Sequence, residues 1–114
     1  MARILVVDDE ESVREITCLI LRRAGHVLES AGGAEEALVM LRQERFDLLI
    51  TDITMPDVNG LELAKQAAKA GGGPVLLMSG GEAPPTLGRG MQFLRKPFRA
   101  EALVSEVEAI LAEP

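Results

Sequence analysis

The stretch that decides the fold is Arg3-Ile4-Leu5-Val6-Val7-Asp8-Asp9-Glu10, in which an apolar run ends at two carboxylates. Continuous Ile, Leu and Val residues are typical of a strand buried on both faces of a parallel sheet. Open α/β sheets bind their ligands beside the carboxyl ends of such strands. Two adjacent aspartates repel each other, by about 4 kcal/mol at about 4 Å and an effective dielectric of roughly 20. We therefore expect a cation at this strand end.

The composition indicates one domain, residues 1–114, which is long enough to bury a core without disulfides or structural metals. No apolar run reaches the roughly 18 residues of a membrane span, and we expect neither a signal peptide nor contact with a membrane. Cys18, the single cysteine, fits a helical pattern as a small buried residue. A lone thiol favours a reducing, cytoplasmic location.

The charge of the chain argues against direct binding of nucleic acid. The formal net charge is −6, whereas such binding relies on Lys and Arg to neutralise phosphates. The chain has no Trp or Tyr, and its three Phe are scattered, so no platform for stacking bases is visible.

Strand and helix patterns alternate along the chain. The predicted strands are residues 3–7, 27–30, 46–51, 74–78 and 91–95. The first predicted helix starts at a capping box formed by Ser12 and Glu15 and stops at Gly25. Apolar residues recur in it at helical spacing: Val13, Ile16, Ile20 and Ala24. The other predicted helices are residues 34–43, 60–70 and 100–111.

Repeated strand–helix units predict a doubly wound parallel α/β sheet with right-handed crossovers. We expect five strands in the flavodoxin-like order 2-1-3-4-5. Residues 80–90 contain two prolines and four glycines, so the helix between the fourth and fifth strands is expected to be short or irregular.

Five polar side chains follow the carboxyl ends of four predicted strands: Asp8, Asp9, Asp52, Ser79 and Lys96. The strand order would bring them into one shallow site. Three carboxylates are typical of an open Mg²⁺ site that leaves room for a phosphate oxygen. The central carboxylate could act as a nucleophile toward phosphorus, with the hydroxyl and the ammonium stabilising the transferred group.

The ordered motifs of the chain resemble those of bacterial response-regulator receiver domains over nearly its whole length. These motifs are Asp8-Asp9, Thr51-Asp52 followed by Met55-Pro56 and Gly60, Ser79-Gly80, and Phe93-Leu94-Arg95-Lys96-Pro97-Phe98. The stretch 75–81 is most similar to receivers attached to hybrid histidine kinases. The resemblance implies a two-component signalling domain that switches conformation on phosphorylation and controls a partner or an attached domain.

The resemblance also implies roles for particular residues. Asp52 would accept a phosphoryl group from a histidine kinase or a phosphotransfer protein. Mg²⁺ would be bound by Asp9, Asp52 and the backbone carbonyl of Thr54, with Asp8 acting largely through a water molecule.

A switch pair and a cis peptide bond are implied as well. Ser79 and Phe93 match the hydroxyl and the aromatic side chain that move on phosphorylation, and Lys96 would help to catalyse the transfer. The Lys96–Pro97 bond is expected to be cis. Thr54 and Gly81 occupy positions that influence hydrolysis of the phosphoaspartate. The domain would catalyse its own phosphorylation and dephosphorylation without being a turnover enzyme.

The sequence departs from the family pattern in two places. Ser79 and Lys96 are only 17 positions apart, which is shorter than usual, and residues 25–33 are one residue short. The first departure alters the surface of the fourth helix, fifth strand and fifth helix that usually carries the phosphorylation signal.

Three other functions are alternatives to a receiver domain. A pseudo-receiver that binds partners without phosphate is the main alternative. A haloacid-dehalogenase-like phosphatase would need a second acid where Thr54 stands, and a flavodoxin would need a hydroxyl-rich phosphate loop after the first strand. His26 stands apart from the acidic residues and is interpreted as an exposed structural residue.

Overall fold

The fold is a five-stranded parallel sheet with helices on both faces, and the computed structural model describes residues 1–56, 58–70 and 73–113. The strands are β1 (Arg3–Val7), β2 (Val27–Ala31), β3 (Leu48–Asp52), β4 (Val75–Ser79) and β5 (Met91–Arg95). The helices are α1 (Glu11–Arg23), α2 (Ala34–Gln43), α3 (Gly60–Lys69) and α4 (Ala100–Ala112). The strand order is β2-β1-β3-β4-β5, which confirms the predicted topology.

The apolar run of β1 supplies both halves of the core. Ile4 and Val6 lie in one hydrophobic cluster, which includes residues from α1 and α4, and Leu5 and Val7 lie in the other, which includes residues from α2 and α3. All four side chains are fully buried. Successive residues of a strand point to opposite faces, so a strand covered on both sides must be apolar throughout.

The third and fourth strands end one residue later than predicted, and each includes a polar residue of the predicted site. Asp52 is the last residue of β3, and Ser79 is the last residue of β4. The third strand also starts two residues later than predicted, at Leu48. Asp47 precedes it in a turn, where its N–H donates to the Arg3 carbonyl (2.7 Å) and its carboxylate accepts from the Arg3 N–H (2.8 Å).

The predicted start of α1 is wrong. Ser12 lies inside the helix, and Glu10 is the N-cap residue without a side-chain capping bond. The helix begins directly after the acidic pair because the Asp8 carboxylate accepts a hydrogen bond from the Glu10 N–H (3.0 Å). The predicted buried face is also shifted. Ile16 is 48% exposed, whereas Thr17 is buried and donates its hydroxyl proton to the Val13 carbonyl (2.7 Å).

Gly25 ends α1 as predicted. Its φ of 99° lies in the left-handed region, which costs little for a residue without a Cβ. Its N–H bonds the Arg22 carbonyl and the His26 N–H bonds the Leu21 carbonyl, at 3.0 and 3.1 Å. This pair of bonds is a Schellman motif, which satisfies carbonyls that the helix end would leave free.

His26 is structural, as predicted, but it is not exposed. Its side chain is only 7% exposed, and its Nε2 lies 2.9 Å from the Glu108 carboxylate of α4. Nδ1 accepts a hydrogen bond from the Ala2 N–H (3.2 Å). The imidazole therefore joins α4 to the start of β1, a contact between distant segments that the local sequence pattern does not reveal.

Two further expectations concern buried groups and membranes. Cys18 is buried and unpaired, as expected for a small core residue. In the part of the chain that the structure describes, none of the helices has the length and apolar character needed to span a bilayer.

No helix forms between β4 and β5 in the described residues, which include all of 80–90. Gly90 takes a left-handed φ of 77°, and the Met91 N–H donates to the Gly88 carbonyl (3.1 Å) in the turn that leads into β5. The proline- and glycine-rich segment thus connects the two strands without a helical turn. One face of β5 is only partly covered, since Met91 and Phe93 on that face pack against the second core cluster but are half-buried.

Gly60 lets α3 begin against the end of β3. Asn59 is the N-cap of α3, and its side chain accepts a hydrogen bond from the Glu62 N–H (2.9 Å). The Gly60 N–H donates to the Ile53 carbonyl (2.8 Å). A Cβ on Gly60 would lie 2.1 Å from the Asp52 carbonyl oxygen, so no other residue fits without movement of the backbone.

We predict that Gly60→Ala destabilises the domain by about 1–3 kcal/mol, the usual cost of overpacking, although alanine is the better helix former. Urea unfolding followed by circular dichroism measures the change. Gly80→Ala is the matched control, because a Cβ at Gly80 meets nothing within 4 Å. Equal stability of the Gly60 variant and the wild type would show that the close approach does not exist in solution.

Candidate functional site

Three carboxylates meet at the carboxyl edge of the sheet. β1 and β3 are parallel neighbours with Val7 opposite Thr51, so Asp8 and Asp52 follow at the same level. Asp9 lies beside them, and one oxygen of each carboxylate lies within 4.8 Å of the others. The cluster predicted from the sequence is therefore present, and its donors are all oxygen atoms.

Lys96 reaches this cluster from beyond the end of β5. Its Nζ donates to Asp8 Oδ2 (2.8 Å) and lies 3.5 Å from Asp52 Oδ2. The backbone holds the lysine in place because its N–H donates to the Ser79 carbonyl (2.8 Å). The Lys96–Pro97 peptide bond is cis, as expected. The cation expected beside the acidic pair is thus in part an ammonium group of the chain itself.

The two adjacent aspartates have different surroundings. Asp8 is fully buried, and its two carboxylate oxygens bond the Glu10 N–H (3.0 Å) and the Lys96 ammonium. Asp9 is exposed to solvent. Asp8 is therefore a fixed part of the site, whereas Asp9 can bind a ligand from outside.

Arg14 supports the loop between β1 and α1, and the sequence analysis missed it. Its Nη1 donates to the Asp8 carbonyl (2.8 Å). The arginine therefore joins α1 to the acidic loop that follows β1. An arginine in the first turns of a helix is ordinary surface composition, so its position in the sequence carries no signal for this contact.

The site changes the proton affinity of its central groups. Burial raises the pKa of Asp52, and nearby Asp8 adds to the rise, whereas Lys96 and the Thr54 N–H act in the opposite direction. Burial lowers the pKa of Lys96, but its bonds with Asp8 and Asp52 outweigh that effect and the net pKa is raised. The lysine therefore stays charged, and the ionised form of Asp52 is destabilised until another cation arrives.

The remaining predicted residues lie around the central carboxylate. Ser79 is buried at the end of β4, one residue past the partner of Asp52 in the register, and its Oγ accepts from the Gly81 N–H (3.0 Å). Thr54 is exposed in the loop after β3. Phe93 is on β5, half-buried and packed against the second core cluster. Phe93 therefore lies at the periphery of the site, whereas Ser79 lies close to the central carboxylate of Asp52.

A family model described as "Response regulator receiver domain" matches residues 4–108. Two curated relatives agree with it. CpdR, a response regulator receiver protein of Brucella abortus, is 33% identical, and the match covers 97% of this chain and 98% of CpdR. The response regulator MprA of Mycobacterium ulcerans is 35% identical over 96% of this chain, which spans about half (50%) of its length.

Two solved structures have the same fold. The receiver domain of the hybrid histidine kinase CckA is 37% identical, with a TM-score of 0.86 and coverage of 96% of this chain and 98% of that chain. The response regulator TrrA of Thermotoga maritima, solved in complex with Mg²⁺-BeF, is 31% identical, with a TM-score of 0.87 and coverage of 96% and 99%.

The fold and the acidic edge of the sheet define a receiver domain. This chain belongs to the response regulator receiver domain family, and it is a phosphoacceptor domain. The predicted likeness to the receivers of hybrid histidine kinases is matched by its similarity to the CckA receiver.

The raised pKa of Asp52 predicts how its charge affects stability. A carboxyl group whose pKa is higher in the folded chain stabilises the fold when protonated, and this contribution is lost as the pH rises through the folded pKa. At pH 7 without divalent cations, Asp52→Asn should therefore raise the free energy of unfolding. The gain should shrink as the pH falls toward about 4, where the wild-type carboxyl is protonated in the unfolded chain.

Urea unfolding in EDTA at several pH values measures this difference between the two proteins. Glu15→Gln, which removes one exposed negative charge on α1, is the control for the loss of charge alone. A less stable Asp52→Asn variant at pH 7 would contradict the assigned electrostatics.

Proposed function

We propose that Asp52 is the phosphoacceptor of this domain and that it takes a phosphoryl group from the phosphohistidine of a histidine kinase or phosphotransfer protein. The observation that carries the proposal is the position of its carboxylate, in contact with Lys96 and within 4.8 Å of the two other carboxylates. Asp52 ends a fully buried strand, so the backbone fixes its place.

The chemistry is a displacement at phosphorus. A carboxylate oxygen of Asp52 forms the new O–P bond while the P–N bond to the donor imidazole breaks, and the bonding electrons return to the imidazole nitrogen. The Lys96 ammonium, which already lies 3.5 Å from Asp52, would stabilise negative charge on the transferred oxygens. Ser79, at the end of the neighbouring strand, would offer its hydroxyl to one of those oxygens.

The residues at this edge fit a Mg²⁺ ion. Asp9 and Asp52 offer carboxylate oxygens, and the backbone carbonyl of Thr54 is the third ligand that the family resemblance implies. Both oxygens of Asp8 already have partners, which supports a role through bound water rather than direct ligation. When bound, Mg²⁺ supplies positive charge that neutralises the carboxylates and the phosphoryl oxygens. TrrA, which holds Mg²⁺-BeF, supports this assignment.

Phosphorylation would act as a conformational switch. In the structure the Ser79 hydroxyl accepts from the Gly81 N–H, so its proton is free to donate to a phosphoryl oxygen. Phe93 is half-buried and lies on β5, two strands away from Asp52. Movement of this pair would shift the equilibrium between two conformations and so control a partner or an attached domain.

The wider setting follows from the same proposal. The domain promotes the formation and hydrolysis of its own phosphoaspartate, and it is not a turnover enzyme. It works in the cytoplasm, where Cys18 stays reduced, and it spans residues 1–114. The comparisons give no support to the pseudo-receiver alternative.

We predict that acetyl phosphate with Mg²⁺ adds one phosphoryl group to the chain, because the site needs only a donor and a cation. Intact mass spectrometry detects the adduct, which should survive acid and be lost in base, as expected of an acyl phosphate. Asp52→Asn should remain unmodified. Equal labelling of that variant would place the phosphoacceptor elsewhere.

We predict that Asp9→Ala weakens Mg²⁺ binding by about tenfold or more, because it removes the exposed ligand of the cluster. Isothermal titration calorimetry measures the affinity, since the chain has no Trp or Tyr to report binding by fluorescence. Glu15→Ala, an exposed acid on α1, is the control for the loss of charge alone. An unchanged affinity of the Asp9 variant would show that the ion binds at another place.

A further inference from the structure

The missing helix leaves β5 open on one face. α4 covers the opposite face, where Leu94 and Phe98 pack against the first core cluster. On the more open face, Met91 and Phe93 pack against the second core cluster but remain half-buried, and Arg95 is exposed. Leu87, in the connecting segment, is 38% exposed. This face therefore offers apolar surface next to a positive charge.

Beyond Met91, whose N–H bonds the Gly88 carbonyl, no strand among the described residues pairs with the outer edge of β5. The Val75 N–H donates to the Gly90 carbonyl and the Lys96 N–H donates to the Ser79 carbonyl, at 2.9 and 2.8 Å. Gly90 and Lys96 therefore direct these backbone groups toward β4, as does every second residue between them. The residues in between, which include Phe93 and Arg95, direct their N–H and C=O groups away from β4. No strand within the described ranges lies beyond β5. Such an edge can accept a further strand.

The charge around this edge is opposite to that of the chain. Residues 83–100 contain four basic residues and none of the 18 acidic ones, although the net charge of the chain is −6. Lys96 is held in the acidic cluster, whereas Arg89, Arg95 and Arg99 are exposed. These three arginines form no ion pair with any residue in the described part of the chain.

We propose that the edge of β5 binds an extended acidic segment of a partner protein, which adds to the sheet as a sixth strand. Main-chain bonds to Phe93 and Arg95 would hold the segment, its acidic side chains would pair with the arginines, and its apolar ones would cover Met91 and Phe93. A second copy of β5 is disfavoured because like charges would face each other across the pair. The proposal goes beyond phosphoryl transfer and does not depend on it.

The probe is a fluorescein-labelled peptide of alternating Glu and Val, about eight residues long, which is an ordinary strand length. Fluorescence anisotropy of the unphosphorylated full chain should show saturable binding. Arg95→Glu and Arg89→Glu should each weaken it by about tenfold or more, because a like charge replaces an attractive one. Arg42→Glu, the same substitution on α2, is the matched control and should bind as the wild type does.

A second set of measurements tests the strand pairing itself. N-methylation of alternate peptide residues should abolish binding, since it removes the N–H groups that an added strand uses, and amide exchange at Phe93 and Arg95 should slow when the unmodified peptide binds. Equal binding of the N-methylated peptide, tighter binding of an acidic helical peptide, or equal binding of a Lys–Val peptide would overturn the proposal. Self-association of the chain through β5 would overturn it as well. Because the protein stays unphosphorylated, failure at Asp52 leaves these results unchanged.

Discussion

The ion pair of Lys96 with Asp8 is the interaction on which the site depends. Three carboxylates converge at one edge of the sheet, and Coulomb repulsion between them would oppose the fold without a fixed cation. Lys96 is 88 positions away from Asp8 in the sequence, so the ion pair forms only when β1, β3, β4 and β5 are assembled in order. The topology of the sheet therefore places the positive charge that offsets the repulsion. One ammonium neutralises only part of the charge of three carboxylates, so the site can still bind a divalent ion, which in turn neutralises a phosphoryl group.

The geometry around Asp52 shows how the backbone makes this arrangement rigid. The carboxylate ends a strand with no exposed residue, and α3 starts so close to the Asp52 carbonyl that only glycine fits at position 60. Movement of Asp52 would thus disturb the core on one side and α3 on the other. A rigid central carboxylate combined with exposed Asp9 gives a site that is shaped before a ligand arrives, which lowers the entropic cost of binding.

Local chemistry predicted the strands, the carboxylates that follow them and the absence of a regular helix in 80–90, whereas the strand order that brings the carboxylates together came from the flavodoxin-like pattern of such sheets. Apolar runs, strand-end carboxylates and Pro–Gly content are properties of neighbours in the chain. The predicted start of α1 was wrong because Ser12 and Glu15 were assigned as its capping box, whereas a different local bond, from the Glu10 N–H to the Asp8 carboxylate, precedes the helix. The contacts of Arg14 with Asp8 and of His26 with Ala2 and Glu108 were out of reach for another reason, since each joins separate elements of the fold.

β5 connects the two surfaces at which this chain would bind other molecules. Its inner edge pairs with β4 and leads directly to Lys96, while its outer edge carries the free backbone of Phe93 and Arg95. In this chain no helix lies between those surfaces in the described segment, so any displacement of Phe93 would alter the outer edge itself. If phosphorylation and strand addition both change the conformation of this strand, phosphorylation changes the affinity for the segment by the same factor by which the bound segment changes the equilibrium constant of phosphorylation. In this chain, the conformational change on phosphorylation would then reach a partner through β5 alone, because residues 80–90 form no helix that could transmit it.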